Sequence, residues 1–367
     1  MIKKVLVTII VSLIFCVNIY ADETLTAKPD ADYEKAKVLY QQSIDTDSIE
    51  VKKVCRQQIL KLVPETDLGY FSKAWLISIE DTPDLNKTIE YYTKAIELDP
   101  EYAAAYCGRG FAYYELDQYE AIDDFTKAIE LDPQNALAYY NRGFAYYTKS
   151  GDYQEAIDDF TKAIELNPEY AAAYNNRGGA YRELGQYQKA IDDFTKAIEL
   201  DPKDAEAYFG RGDAYREKVY QDCKEKGEYK FHFGTEEAIK DYTTVIKLNP
   251  KHIDAYYSRG LCYTYEKLFT AAYDDFYQAG MLYLKEKNVG GARHCLFMTE
   301  DNHSSFLYKK LKDKICEYYY QESLNFLKQN NRTEALKCID YIKEVNSESP
   351  LIKKLMDKIY AEPKKKK

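Results

Sequence analysis

The sequence predicts an all-α solenoid of stacked antiparallel helix pairs, and three observations carry that expectation. Four segments end alike, KAIELDP at 94–100, KAIELDP at 127–133, KAIELNP at 162–168 and KAIELDP at 196–202, with a degenerate VIKLNP ending at Pro250. The closing prolines stand 33, 35, 34 and 48 residues apart, a period near 34 with an insertion of 14 in the last interval. Each unit holds two runs of apolar residues spaced three and four apart, the spacing of one helix face. Self-similarity at such a period signals a repeat architecture.

Residues 171–202, AAAYNNRGGAYRELGQYQKAIDDFTKAIELDP, show how a unit is built. Tyr174, Gly178 and Tyr181 share a face of the first helix, and Gly185 in the Leu-Gly-Gln turn suits a left-handed cap. Tyr187, Ala190, Phe194 and Ala197 form the stripe of the second helix, and Pro202 ends it because proline cannot extend a helix interior. Isolated helices of this length are marginal in water, so stability has to come from stacking one pair on the next. Gly110, Gly143, Gly178, Gly212 and Gly260 recur inside the first helices. A mid-helix glycine costs about 1 kcal/mol relative to alanine. Close approach of two helices is the expected reason, with Ala121, Ala156, Ala190, Ala238 and Ala272 as the counterpart column on the second helix.

These residues resemble the tetratricopeptide repeat family: the aromatic, small residue and tyrosine of helix one, the G-x-Y turn, the alanine–aromatic–alanine ladder of helix two and the closing proline. The resemblance covers 103–202 strongly and 69–102 and 203–287 with departures. It implies a right-handed α-solenoid, a superhelix whose first helices line a concave face that serves as a general protein-binding platform. The units then run 103–136, 137–170, 171–204, 205–252 and 253–287 within an array spanning 69–287. Candidate partner-binding residues on the concave face are Tyr140, Asn141, Tyr147, Asn175, Asn176, Arg182, Phe209, Arg216 and Tyr257, a mixture of aromatic area and hydrogen-bonding groups suited to an extended peptide. Some family members clamp a C-terminal carboxylate with lysines and asparagines. Asn141 and Asn176 fit the asparagines, but Ala104, Cys107 and Ala172 stand where the cations belong, so that activity is not implied.

One departure from the family is an arginine before each first-helix glycine: Arg109, Arg142, Arg177, Arg211 and Arg259. The same units supply Asp123-Asp124, Asp158-Asp159, Asp192-Asp193, Asp241 and Asp274-Asp275. An arginine on a half-buried face needs a carboxylate partner. A structural ladder of Arg–Asp pairs is therefore expected, with an anion-binding stripe as the alternative.

Around the array, residues 22–68 read as a helical cap or divergent repeat. Tyr33, Ala36, Tyr40 and Ser43 form one stripe, and Val51, Val54, Ile59 and Leu62 a second. Residues 70–98 read as the first full unit, with Trp75 on its first helix and a turn near Pro83. The insertion at 219–234 falls between the two helices of its unit, either extending them or forming a hairpin on the rim. Past Leu282 the helix is expected to run to Lys287 and break at Gly290-Gly291. Residues 288–361 then supply a helix pair, 306–327 and 332–345, and a capping helix starting at Ser349-Pro350. The 362–367 tail is basic.

The chain has 367 residues, a net charge of -10 and 38 tyrosines. The acidic excess argues against a nucleic-acid surface. Residues 1–21 read as a signal peptide: Lys3 and Lys4, an apolar run over 5–17, and Ile19 and Ala21 at the signal-peptidase spacing, leaving Asp22 first in the mature chain. Export to the periplasm or envelope is expected. An uncleaved anchor is the alternative, and Phe15 is too large for a lipoprotein site at Cys16. No later segment is apolar enough to span a bilayer. Seven cysteines remain after cleavage; an odd number cannot pair completely within one chain, and nothing selects a pair. The four histidines fit no zinc spacing, and no phosphate loop, dinucleotide fingerprint or nucleophile elbow is present. No cofactor, metal or catalytic residue is expected. The reading is a scaffold or adaptor for a protein or peptide ligand, with a self-associating envelope component as the alternative.

Overall fold

The computed structural model describes residues 31–46, 48–226, 235–299, 306–329 and 331–360. The expected signal peptide, residues 22–30, the end of the insertion, His232, His303 and the basic tail lie outside them. The chain divides into two compact units, Met1–Asp201 and Pro202–Lys367. The division falls at an inter-repeat turn, inside the stretch expected as a single array. Contacts in repeat folds are local, so such turns are natural boundaries.

The described residues form α-helices and no strands. The first unit contains α1 (Ala31–Ile44), α2 (Ile49–Leu62), α3 (Asp67–Ser78), α4 (Leu85–Leu98), α5 (Ala103–Glu115), α6 (Glu120–Leu131), α7 (Ala136–Ala145), α8 (Tyr153–Leu166), α9 (Ala171–Glu183) and α10 (Tyr187–Leu200). Each odd helix packs on the even helix after it, and α2, α4, α6 and α8 each pack on the helix that follows. The second unit contains α11 (Ala205–Lys226), α12 (Thr235–Leu248), α13 (Ile253–Tyr265), α14 (Phe269–Lys285), α15 (Val289–Phe297), α16 (Phe306–Lys328), α17 (Arg332–Val345) and α18 (Pro350–Tyr360). This is the all-α solenoid of consecutive antiparallel pairs that the period predicts.

In six of the pairs the core is an aromatic ring on the second helix: Tyr92, Phe125, Phe160 and Phe194 in the first unit, Tyr242 and Phe276 in the second, all nearly or fully buried. Alanines one turn to either side, such as Ala190 and Ala197, are buried with them. The first-helix glycines face these rings more than the alanine column. A methyl at Gly260 would lie 2.8 Å from the Phe276 ring, and one at Gly178 3.2 Å from Phe194. Glycine is needed so that the helix backbone can lie on the ring.

The structure corrects several element expectations. In α2, Val51 and Val54 are 45% and 51% exposed, while the buried face is Lys52, Cys55, Arg56 and Ile59. Ile59 and Cys55 set the phase of the helix, and the two valines fall one residue out of step with it. Gly290-Gly291 does not break a helix. It opens α15, whose N-cap Asn288 accepts a hydrogen bond from the Gly291 amide. The bare Gly291 lets the Tyr283 ring approach, since a Cβ there would sit 2.7 Å from it. The α11 helix is 22 residues long against 13 for α9 and α13. The insertion therefore begins as an extension of the first helix through Lys226, and Val219 within it is buried.

Candidate functional site

In every described repeat with the arginine, the same interaction forms. Arg109 donates from Nε and Nη2 to the two oxygens of Asp124 at 2.7 and 2.8 Å. Arg142 does so to Asp159, Arg177 to Asp193, Arg211 to Asp241 and Arg259 to Asp275, each at 2.7 or 2.8 Å. The forked guanidinium matches a carboxylate bidentately. Of each acidic doublet, the second aspartate is buried and pairs, while the first faces solvent. Burial pushes the Asp124, Asp159 and Asp275 carboxyls up, against the hydrogen bond and charge of their arginines. The hydrogen bond they donate to the aspartate in turn raises the Arg109 and Arg142 pKa over the opposing effect of burial, so those arginines stay charged.

A third partner in this ladder was not read from the sequence. Arg109 Nη1 donates to Thr93, Arg142 to Thr126, Arg177 to Thr161 and Arg259 to Thr243, at 2.9–3.1 Å. Each threonine lies on the second helix of the preceding pair, so every such arginine ties its own pair to the one before. The signal was present: threonine precedes the lysine of each KAIEL run. Tyrosines flank the guanidinium. Arg177 lies 5.6 and 5.9 Å from the Tyr174 and Tyr181 ring centroids.

The candidate partner-binding residues separate into two groups. Tyr140 is 8% exposed, its ring 4.8 Å from Tyr170 and 5.7 Å from Phe160, and its hydroxyl accepts from Asn176 Nδ2 at 2.8 Å. It is a packing residue, because its position turns toward the following pair. Phe209 packs on Tyr242 and His252, and Tyr257 on Phe276, with its hydroxyl 2.7 Å from His294 Nε2. Asn141 donates to Cys107 Sγ at 3.6 Å. In Arg216, burial opposes the charge, but Tyr242 and Asp213 outweigh it and raise the pKa. Asp213 is itself buried and accepts from the Tyr242 hydroxyl at 2.7 Å. Thus the repeat that carries aspartate at 213 also carries tyrosine where Phe125, Phe160, Phe194 and Phe276 stand.

Half-buried side chains of α5, α7 and α9 make a continuous face in the first unit. Phe111 stacks on Tyr114, whose ring is 5.6 Å from Phe144 on the next first helix. Beyond it, the Tyr147 hydroxyl covers Gly179 of α9, where a Cβ would come within 2.9 Å. Burial raises the Tyr147 pKa, opposed by the Arg182 charge. Arg182 pairs with Glu183 at 3.0 Å, and Asn141 on α7 and Asn175 and Asn176 on α9 are half-buried. Among the described residues no group of three His, Cys, Asp or Glu side chains is placed to hold a metal, and the seven cysteines there are free. No described helix is long and apolar enough to cross a membrane.

An array of helix hairpins locked by a period-34 ladder defines a helical-repeat protein. Family models of the tetratricopeptide repeat match residues 136–170, 171–204 and 194–230, and a TPR repeat model matches 84–117 and 118–150. Residues 84–230 are therefore tetratricopeptide repeats, and the chain is a TPR repeat protein. No curated protein matches it significantly. Among solved structures, it is similar to MamA, with 30% identity over 46% of this chain and 90% of that one and a TM-score of 0.39. It is similar to YrrB, described as a TPR protein with an unusual peptide-binding site, at 28% identity over 56% of this chain and 99% of that one, TM-score 0.43. The first TPR of Spaghetti (RPAP3), bound to an HSP90 peptide, matches at 31% identity over 36% of this chain and 94% of that one, TM-score 0.31.

Proposed function

We propose that this chain is an exported scaffold that holds an extended segment of another protein against the α5–α7–α9 face. The observation that supports it most is the strip Phe111, Tyr114, Phe144 and Tyr147, half-buried and bordered by Asn141, Asn176 and Arg182. Aromatic rings at such a face bury area on contact, and asparagine and arginine bond a peptide backbone or carboxylate. The ladder arginines are engaged by aspartate, and four of them by threonine as well, so they serve the fold before any ligand. The reading agrees with the family's use as a protein-binding platform, and the residues 1–21 pattern supports export.

The test is photo-crosslinking in intact cells, followed by isolation of the envelope fraction. A photoreactive phenylalanine replacing Tyr147 is expected to capture one protein species there. The same probe replacing Asp192, on the exposed side of α10, should capture none, and Arg182→Glu should weaken the Tyr147 adduct severalfold. Adducts only with a second copy of the chain favour the self-associating component instead. Equal capture from both positions, or absence of the chain from the envelope fraction, overturns the proposal.

A further inference from the structure

The α2 and α4 helices are both 14 residues long and capped by Ser48 and Asp84. Counted from those caps, Arg56 occupies the position of Tyr92, the buried aromatic of the ring column. Lys52 occupies the position of Thr88, one turn earlier. The first pair thus carries two cations where the other pairs carry core residues. Both are buried, Arg56 3% and Lys52 4% exposed.

Arg56 differs from every ladder arginine. Its guanidinium lies among three rings, 4.2 Å from the Tyr40 centroid, 5.0 Å from Phe71 and 5.7 Å from Trp75. Its Nε and Nη1 have no hydrogen-bond partner among the described residues. The ladder arginines spend Nε on aspartate; this one has no such acceptor. Ser72 Oγ on α3, beside Phe71, is also buried and without a partner. Aromatic faces attract a cation but accept none of its in-plane N–H bonds. A buried, unbonded charge is strongly unfavourable unless something supplies the missing acceptors.

We infer that the α1–α2–α3 junction is an oxyanion site, in which Arg56 donates from its open N–H groups to a carboxylate or phosphate group. The rings hold the guanidinium in place, and Lys52 adds positive charge to the same helix face. Entry requires Tyr40 and α1 to move aside. Among the described residues, α1 and α2 have a neighbouring pair on one side only, so fewer described contacts oppose their opening. The proposal does not depend on the peptide face, which lies on other helices.

The test is thermal unfolding of the full chain at pH 7 and fixed ionic strength, with sodium chloride replaced stepwise by sodium acetate or sodium phosphate. The wild-type midpoint is expected to rise by about 4 °C at tenfold excess over Kd and to go on rising with the logarithm of the anion concentration. A rise with acetate alone identifies a carboxylate ligand, and a rise with phosphate alone a phosphate group. Arg56→Met, apolar and of similar length, controls for general salt effects and should show only those, without the logarithmic rise. Arg56→Lys, which keeps the charge but not the fork, should lose most of the response and serves if the Met variant does not fold. A flat wild-type response to both anions, or an equal rise in wild type and variant, overturns the inference.

Discussion

Arg177 shows what one side chain contributes to this fold. It closes a fork on Asp193 within its own pair and reaches Thr161 in the pair before, so its removal leaves a buried carboxylate alone and unties two pairs. Breaking one side of a buried ion pair costs about 3–5 kcal/mol, whereas replacing both sides with apolar groups is often neutral. Arg177→Leu is therefore expected to lower thermal stability sharply, and Arg177→Leu with Asp193→Leu to recover most of the loss. Circular dichroism melts of the two variants check this; an unchanged midpoint in the single variant would return the arginines to an anion-binding role. The period of arginine and aspartate was legible because both types are polar residues at fixed places in an apolar stripe. Thr161 and its equivalents were not, because threonine is common on helix surfaces and its hydroxyl has no charge to demand a partner. Tyr140 was misread for a related reason: from spacing alone, a tyrosine at a helix edge serves a groove or a neighbouring pair equally well.

At the scale of elements, the repeat length was readable from the prolines, but the way each unit accommodates one residue more or less was not. The interval of 35 residues ending at Pro168 is absorbed by a π-helical turn, Tyr146–Ser150, followed by Gly151 at φ 73°. A single inserted residue commonly becomes such a bulge. Elsewhere the inter-helix turn is closed by one left-handed residue, Gly185 at φ 70°, with Asp117, Lys267 and Lys287 in the same conformation near 60°. A side chain in that region costs roughly 1 kcal/mol. Gly185→Ala is thus expected to destabilise the α9–α10 hairpin by about that amount, partly offset by the stiffer unfolded chain. No atom lies within 4 Å of an added Cβ, so the effect would be conformational alone. Hydrogen exchange of the α9 and α10 amides measures it. Faster exchange across both helices is the expected result, and unchanged protection would show that the turn is not under strain. The Gly290-Gly291 misreading has the same root in reverse: glycine breaks helices by propensity, but here its lack of a side chain seats Tyr283.

Across the whole molecule, the buried titratable groups are distributed unevenly, and this sets how the two units respond to alkali. In the second unit, burial pushes the Cys262 and Cys295 thiols up to about 12, and the Cys316 and Cys338 thiols up to about 11. The buried tyrosines of the first unit, Tyr92 and Tyr102, are also pushed up by burial, but from an ordinary value of 10 rather than the 9 of a thiol. The sign follows from which state ionises first. Above pH 9 the unfolded chain loses thiol protons that the folded chain keeps, so unfolding is favoured increasingly as pH rises toward the folded values. Each such thiol contributes up to about 1.4 kcal/mol per pH unit in that window, and nothing below it. The second unit should therefore loosen first between pH 9 and 10, where unfolded thiols are at least half ionised and unfolded tyrosines at most half. Pulse alkylation at pH 7.5 and pH 9.8, read by mass spectrometry after correction for the faster intrinsic rate of thiolate, resolves the two units by cysteine. Cys262, Cys295, Cys316 and Cys338 are expected to gain label over this range well before Cys55 and Cys107. Parallel labelling of all six would mean that the units unfold together, and earlier labelling of Cys55 and Cys107 would mean that burial of the thiols does not govern alkaline stability.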